Sequence, residues 1–429
     1  GGSQRALEYE VMGFSNESGS LAMNINGRPV VLEWQESDAV WNGEFDGYYV
    51  ASWIDDARNI WLRNAIQVSK TSPLMQGWLY YDYSAWYGEL EGDGWIDTVK
   101  RSLGDTPGST NPLGMLYVEG STIRNSEGPF FMKGCSVRGV PHNPAQDGKY
   151  DDWYTYRAKD AANIKSLGFN TIRLVVYWEE LETSTSPAEF TYNEQYIERL
   201  RQTVEEYNRQ GIYVIIDLHQ SSRVNDLSRF VPTAGNDMTF ASVFYSDASP
   251  TSAREHLKNV WLRLSQTFKD NPGVMYELLN EPHHVGTLTA QQVSDYWFGI
   301  AEYVTSSLRA AGDDHIVVID FGPSARFTGY MTAPIADGNA VYSVHFYQGI
   351  DEERLIVIDN GFGWLKTVFE RDVNSKLAQF NVPYIMGEQG FGTYKEHDGS
   401  PAGPLIRGTI SQGAFPDVEY CDYVELRLR

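Results

Sequence analysis

A chain of 429 residues, 42% hydrophobic and 21% charged, has apolar surface enough for a full core; this excludes a short peptide module or wholesale disorder and predicts two domains, or one barrel with an addition. A formal net charge of −23, from 57 acidic against 34 basic residues, repels phosphate backbones and anionic lipid, so neither nucleic acid nor a membrane is expected as a partner. Two cysteines, Cys135 and Cys421, allow neither a disulfide framework nor a Cys-rich zinc site, and no apolar run reaches the ~18 residues of a membrane span.

The chain opens on Gly1-Gly2-Ser3-Gln4, without the charged and apolar regions of a signal peptide. It reads as a processed end, and an extracellular location with the leader removed is expected. Seven of the 12 tryptophans (Trp34, Trp41, Trp53, Trp61, Trp78, Trp86 and Trp95) lie in the first quarter. Leu21–Ile25 and Arg28–Trp34 flank Asn26-Gly27 in the pattern of a β-hairpin, and Tyr48–Ile54 and Trp78–Tyr83 continue the aromatic β style. Residues 4–103 are therefore predicted as a small sandwich-like β domain. Its aromatic residues suit either stacking on sugar faces or a core that lacks disulfides. Gly104–Pro112, rich in turn formers, reads as a linker, and residues 113–429 as the second domain.

From Leu113 onward, short β-branched runs alternate with amphipathic stretches. Strands are predicted at Phe130–Ser136, Asn170–Val176, Tyr213–Leu218, Val274–Leu279, Ile316–Asp320, Ala340–Phe346 and Tyr384–Glu388. Helical patterns at Tyr196–Arg209, Ala253–Asp270 and Val293–Ala311 fall between them. This alternation predicts an α/β fold, a (β/α)8 TIM barrel behind the β domain, rather than a doubly wound open sheet, since no Gly-x-Gly-x-x-Gly follows a first strand.

In such a barrel the reactive groups stand at the C-terminal ends of the strands. The second run carries Arg173 and leads into Trp178, and the third ends at Asp217-Leu218-His219. The fourth ends at Asn280-Glu281-Pro282, the sixth at His345-Phe346-Tyr347, and the seventh at Glu388. Cleaving a glycosidic bond takes one protonated carboxyl group and one ionised carboxylate, and Glu281 and Glu388 would face each other across the mouth. Arg173, charged amid Thr171–Val176, must find a partner, and the nucleophilic carboxylate is the natural one. Asn280 could bind a sugar hydroxyl, Tyr347 could donate to the nucleophile, and His219 and His345 could bind hydroxyls or the acid. Each residue alone also has a plain reading, since Asn-Glu-Pro is an ordinary turn and helix start. Their joint occurrence after several apolar runs favours a site.

The ordered set Leu116–Gly120, Gly128 to Gly134, Thr171-Ile172-Arg173-Leu174, Asp217-Leu218-His219, Leu279–Pro282, Val344–Tyr347 and Gly387-Glu388 resembles glycoside hydrolase family 5 over roughly residues 113–392. The resemblance implies an endo-β-glycanase that retains configuration and acts on a β-1,4-linked polysaccharide, cellulose or β-glucan first with mannan or another β-glycan of the family as the alternative, with no cofactor and no metal. It assigns Glu281 as acid/base and Glu388 as nucleophile, with Arg173, His219, Asn280, His345 and Tyr347 binding or supporting. It also implies a Trp at the end of the eighth strand, yet no Trp follows Trp364.

Val418–Leu426 is the best predicted closing strand, which would bring Cys421 near Cys135. Trp364 or Phe391 would then replace the absent Trp. Trp178, Trp153, Phe240, Phe244, Tyr245 and Trp364 are candidate sugar-stacking residues in loops. Two other classes compete: a metal-dependent hydrolase using His219, His345 and Glu281, opposed by the Arg173 charge, and a carbohydrate-binding protein with a decayed site, opposed by the presence of both Glu residues.

Overall fold

The computed structural model describes residues 8–13, 19–25, 28–34, 65–66, 68–70, 72–80, 113–138, 160–219, 246–282, 288–325, 328–348, 356–357, 369–391, 405–409, 424–425 and 427–428. Its centre is a closed barrel of eight parallel strands: β1 (Met75–Tyr80), β2 (Met132–Arg138), β3 (Thr171–Tyr177), β4 (Tyr213–His219), β5 (Val274–Glu277), β6 (Val317–Asp320), β7 (Ala340–Gln348) and β8 (Tyr384–Phe391). All seven predicted barrel strands are present within a few residues of the expected bounds. The period-2 alternation of their side chains builds two cores.

Outward residues such as Ile172, Leu174, Val214, Ile216, Tyr276, Val317 and Ile319 pack on the helices. Those helices include α1 (Glu194–Arg209), α2 (Ala253–Phe268) and α3 (Ala290–Ala310), which bury Leu200 and Val204, Val260 and Trp261, and Trp297 and Val304. Asn193 caps α1 through its side chain, and Thr289 with Gln292 forms a capping box on α3, so both start where the sequence offers an acceptor for the free N–H groups. Inward residues Leu79, Met132, Ile215, Met275, Val318, Val341 and Ile385 form the second core, which Leu116 and Ile123 cover from the hairpins at Tyr117–Pro129. The inner core is apolar toward the strand N-termini and polar toward their C-termini. The polar end is where a site can form.

The eighth barrel strand is not where the sequence places it. β1 pairs in parallel with both β8 and β2, so a segment predicted for the N-terminal β domain closes the barrel. Trp78, 1% exposed, faces outward against Phe169, while Leu79 faces the inner core. Gly77 sits so near β2 that a Cβ there would lie 2.4 Å from Met132 Cβ, and only glycine permits that approach. Of the predicted closing strand Val418–Leu426, Val424–Glu425 instead pairs with Ile356–Val357. Cys135 is buried on β2, whereas Cys421 lies outside the described residues, so the proposed proximity of the two has no counterpart here. The expectation failed because single-sequence patterning reads an aromatic strand as one of its β-rich neighbours and carries no information about which edges meet on closure.

Elsewhere, Gly19–Ile25 and Arg28–Trp34 pair antiparallel about Asn26-Gly27, and Glu8–Gly13 pairs with Leu405–Thr409 and Arg427–Leu428. The linker and the predicted strand at Tyr48–Ile54 lie outside the described residues. Among the described residues no helix is long and apolar enough to cross a membrane.

Deletion of residues 1–112 is expected to abolish folding, because it removes β1 and leaves β2 and β8 as open edges beside an uncovered core. A folded barrel by circular dichroism and gel filtration from the shortened chain would show that β1 is dispensable.

Candidate active site

Arg173 enters the barrel because β3 alternates: Ile172 and Leu174 go out to the helices, and Arg173 goes in. Fully buried, its guanidinium is stable only if its donors are matched. Nε and Nη2 donate to the two oxygens of Glu277 on β5 at 2.7 and 2.6 Å, a bidentate pair. Nη2 also donates to Asn280 Oδ1 at 2.7 Å and lies 3.1 Å from Asp217 on β4, while Nη1 donates to Glu388 Oε1 on β8. Burial by itself would lower the Arg173 pKa, but Asp217, Glu277 and Glu388 hold it well above its ordinary value, so the charge stays. Burial in turn raises the Asp217 carboxyl well above the usual range, against the pull of Arg173.

Glu388 owes its position to a register slip. Val344 pairs with Met386 but His345 pairs with Glu388, so Gly387 has no opposite on β7 and the strand advances one residue. A Cβ at Gly387 would fall 2.2 Å from Ser343 Oγ, which reserves that place for glycine. Glu281, just after β5, takes a left-handed φ of 42°, a conformation that costs a non-glycine residue roughly 1–2 kcal/mol. Its N–H donates to Asp320 Oδ2 at 2.8 Å, which helps hold it there.

His345 Nδ1 stands 2.7 Å from Glu281 Oε1 and 3.6 Å from Glu388 Oε2, and its Nε2 is 3.4 Å from Asp320 Oδ2. Burial would lower the imidazole pKa, yet Asp320, Glu388 and Glu281 around it raise it to about 10. A carboxylate oxygen from each of Glu281 and Glu388 and a His345 nitrogen lie within 4.8 Å of one another. The two carboxyl groups differ in setting. Glu388 is 5% exposed beside a guanidinium, and Glu281 is 26% exposed beside an imidazole.

The structure therefore joins Arg173, Asn280, Glu281, His345 and Glu388 in one cluster, and links His219 to it through Asp217, whose Oδ2 is 2.7 Å from His219 Nδ1. Trp178 is not at the mouth: it is 2% exposed, with its indole N–H donating to Glu182 at 2.7 Å. A Trp following an apolar strand has two faces available, and here the outer core took it. Tyr347 is described only as a β7 residue paired with Gly390, and Phe391 only as one paired with Gln348. Trp364 lies outside the described residues, as do Trp153, Phe240, Phe244 and His283-His284. Because β1 is the closing strand, the position at which the family carries its Trp follows Tyr80 and not Glu388, and the residues there lie outside the described residues.

Sequence reasoning missed Glu277 and Asp320 and gave Asp217 no role. All three are acids inside or closing apolar runs, the same signal that singled out Arg173. Glu277, Asp320 and His345 also offer donor atoms within 4.8 Å of one another, a spacing that could suit a cation. The chemistry does not fit one, because both Glu277 oxygens already accept from a buried guanidinium whose charge would oppose it.

Comparison with known proteins identifies a family and a fold. The model of the Cellulase family (glycosyl hydrolase family 5) matches residues 127–403. Endoglucanase C of Evansella cellulosilytica is 25% identical over 57% of this chain and 28% of its own length. The manganese dependent endoglucanase Eg5A of Phanerodontia chrysosporium is 22% identical over 60% of this chain and 63% of its own. The chain thus spans less than two thirds of either relative. An endogalactoceramidase crystal structure superposes with a TM-score of 0.51 at 21% identity, covering 65% of this chain and 68% of that one, a likeness of fold.

Proposed function

The chain belongs to glycosyl hydrolase family 5, and we propose that it is a retaining endo-β-1,4-glycanase that cleaves cellulose or a related β-glucan by double displacement. The observation that carries the reading is the separation of the two carboxylates. An oxygen of Glu281 and one of Glu388 lie within 4.8 Å of each other, on the short side of the roughly 5–5.5 Å of a direct nucleophile and well under the about 6.5–9.5 Å that the water of an inverting reaction takes.

Glu388 is the nucleophile. Arg173 claims its Oε1 and keeps the group ionised, and Oε2 attacks the anomeric carbon while Glu281 gives a proton to the departing glycosidic oxygen. Glu281 then takes a proton from water, which displaces Glu388 and restores the starting configuration. Asn280, with Oδ1 committed to Arg173, keeps its NH2 group as a donor for a sugar hydroxyl, and His219 serves a second. Polymeric substrate and an acidic surface support action outside the cell.

Reducing-sugar release from a panel of cellulose, mixed-linkage glucan, mannan and xyloglucan, with the first-formed anomer read by NMR, tests this reading. The β anomer should appear first. An α anomer overturns the mechanism, greatest release from mannan makes the enzyme a mannanase, and no release with retained binding favours a carbohydrate-binding protein. Glu281→Ala is expected to lose about 10²–10⁴-fold on unactivated glycosides. On a dinitrophenyl glycoside, whose leaving group needs no proton, the first step should be nearly unchanged. Equal losses on both substrates would remove Glu281 from the acid role.

A further inference from the structure

The geometry points to Asp320 as the positioning residue of the acid/base, setting both the backbone of Glu281 and the imidazole that shares its proton. The inference rests on Glu281 being the acid/base. Asp320 closes β6 and is fully buried, and one of its oxygens serves both tasks: Oδ2 accepts the Glu281 N–H at 2.8 Å and lies 3.4 Å from His345 Nε2. The other ring nitrogen of His345 is 2.7 Å from Glu281 Oε1. A path from Asp320 to the Glu281 carboxyl therefore runs along the main chain and again through the imidazole. Asp320 Oδ1 makes no hydrogen bond to the described residues, so the carboxyl is not spent on a structural network.

Burial raises the Asp320 carboxyl well above its usual range while His345 draws it back toward the anion, and the carboxylate so paired keeps a proton on Nε2 and leaves Nδ1 as the atom that exchanges a proton with Glu281 Oε1. From Oε1 that proton passes to the departing oxygen, and Glu281, then empty, takes its replacement from the incoming water. Charged or titratable groups facing His345 are Glu281 and Glu277 from β5 and the turn after it, Asp320 from β6 and Glu388 from β8, with Asp217 and Arg173 behind them. Of these, Asp320 alone both accepts from the Glu281 N–H and lies beside the far side of the ring, the latter as an ion-pair approach of 3.4 Å and not a hydrogen bond. The loops after β5 and β6 are tied independently, by Ser324 N–H to Pro282 O at 2.8 Å and His345 N–H to Ala325 O at 2.9 Å, so altering Asp320 leaves the turn in place.

Asp320→Asn keeps an oxygen for the Glu281 N–H but removes the charge from Nε2. Expected is a loss of about 10–100-fold in kcat on a cello-oligosaccharide with KM nearly unchanged, and less than about threefold in the first step on a dinitrophenyl glycoside. The basic limb of kcat/KM should move down by about one pH unit, because the imidazole–Glu281 pair holds its proton less firmly without the anion. Equal losses on both substrates, an unmoved limb, or unchanged activity would each overturn the inference. Glu281→Ala in the same assay separates the failures: if it shows the leaving-group dependence and Asp320→Asn does not, only the role of Asp320 falls. Should Asp320→Asn not fold, 15N-histidine spectra of the unaltered chain decide. The histidine whose signals move in Glu281→Gln should carry a proton on Nε2 throughout the active pH range, and a bare Nε2 there overturns the inference.

Discussion

Glu388→Gly is expected to reduce hydrolysis of every β-glycan by on the order of 10⁴-fold or more, and added azide to restore turnover of an activated glycoside. The variant empties the volume beside Arg173 while the guanidinium remains, held by Glu277 and Asn280. A small anion can therefore enter the place vacated by the carboxylate and attack the same carbon from the same side. With one displacement in place of two, the glycosyl azide must have the configuration opposite to the substrate. Chromatography and NMR of the product check this. An azide of retained configuration, or rescue equally good in Glu281→Gly with the same product, would exchange the roles of the two acids.

Replacement of Arg173 by Met should be the most destabilising single change in the barrel. The guanidinium is the ion-pair partner shared by Glu277, Asp217 and Glu388, all buried, and without it the three carboxyl groups keep only the imidazoles of His345 beside Glu388 and His219 beside Asp217. Breaking a buried pair in this way costs about 3–5 kcal/mol, a large part of the stability of a typical domain. Urea unfolding of Arg173→Met should show a loss of that order, with activity gone even where the protein is folded. The pH dependence has a definite sign. Buried carboxyls without their cation have folded-state pKa values raised above the unfolded ones, so their stabilising contribution is complete below the unfolded pKa and is lost as pH rises through the folded one. The deficit of the variant should thus be smaller near pH 5 than near pH 8. Arg173→Lys restores one charge but not the fork that reaches Glu277 and Glu388 at once, and should recover part of the stability and little of the activity. A midpoint for Arg173→Met equal to that of the parent would show that the cluster is not charge-compensated as described.

Much of this protein was legible in its residues taken in order. Apolar runs of the right length fixed where strands fall, because a strand buried on both faces must be apolar almost throughout. The polar residues that end those runs marked one mouth of the barrel. Arg173 was found by the same logic, a charge among β-branched neighbours that had to have partners. That logic stops at local pattern. Which partners Arg173 has was decided by closure, which sets Glu277, Asp217 and Glu388 around it from three other strands.

The edges that meet were likewise invisible in sequence. Met75–Tyr80 and the region after Glu388 both hold β-prone residues, and only the parallel pairing of β1 with β8 and β2 selects the first. The slip at Gly387 that turns Glu388 inward, the left-handed turn at Glu281 and the double contact of Asp320 arise from distances between chain segments, to which no periodicity corresponds. Sequence thus determined the kinds of groups present and the end of the barrel they occupy. Tertiary structure determined which of them touch, because burial makes each charge depend on neighbours that lie far away along the chain.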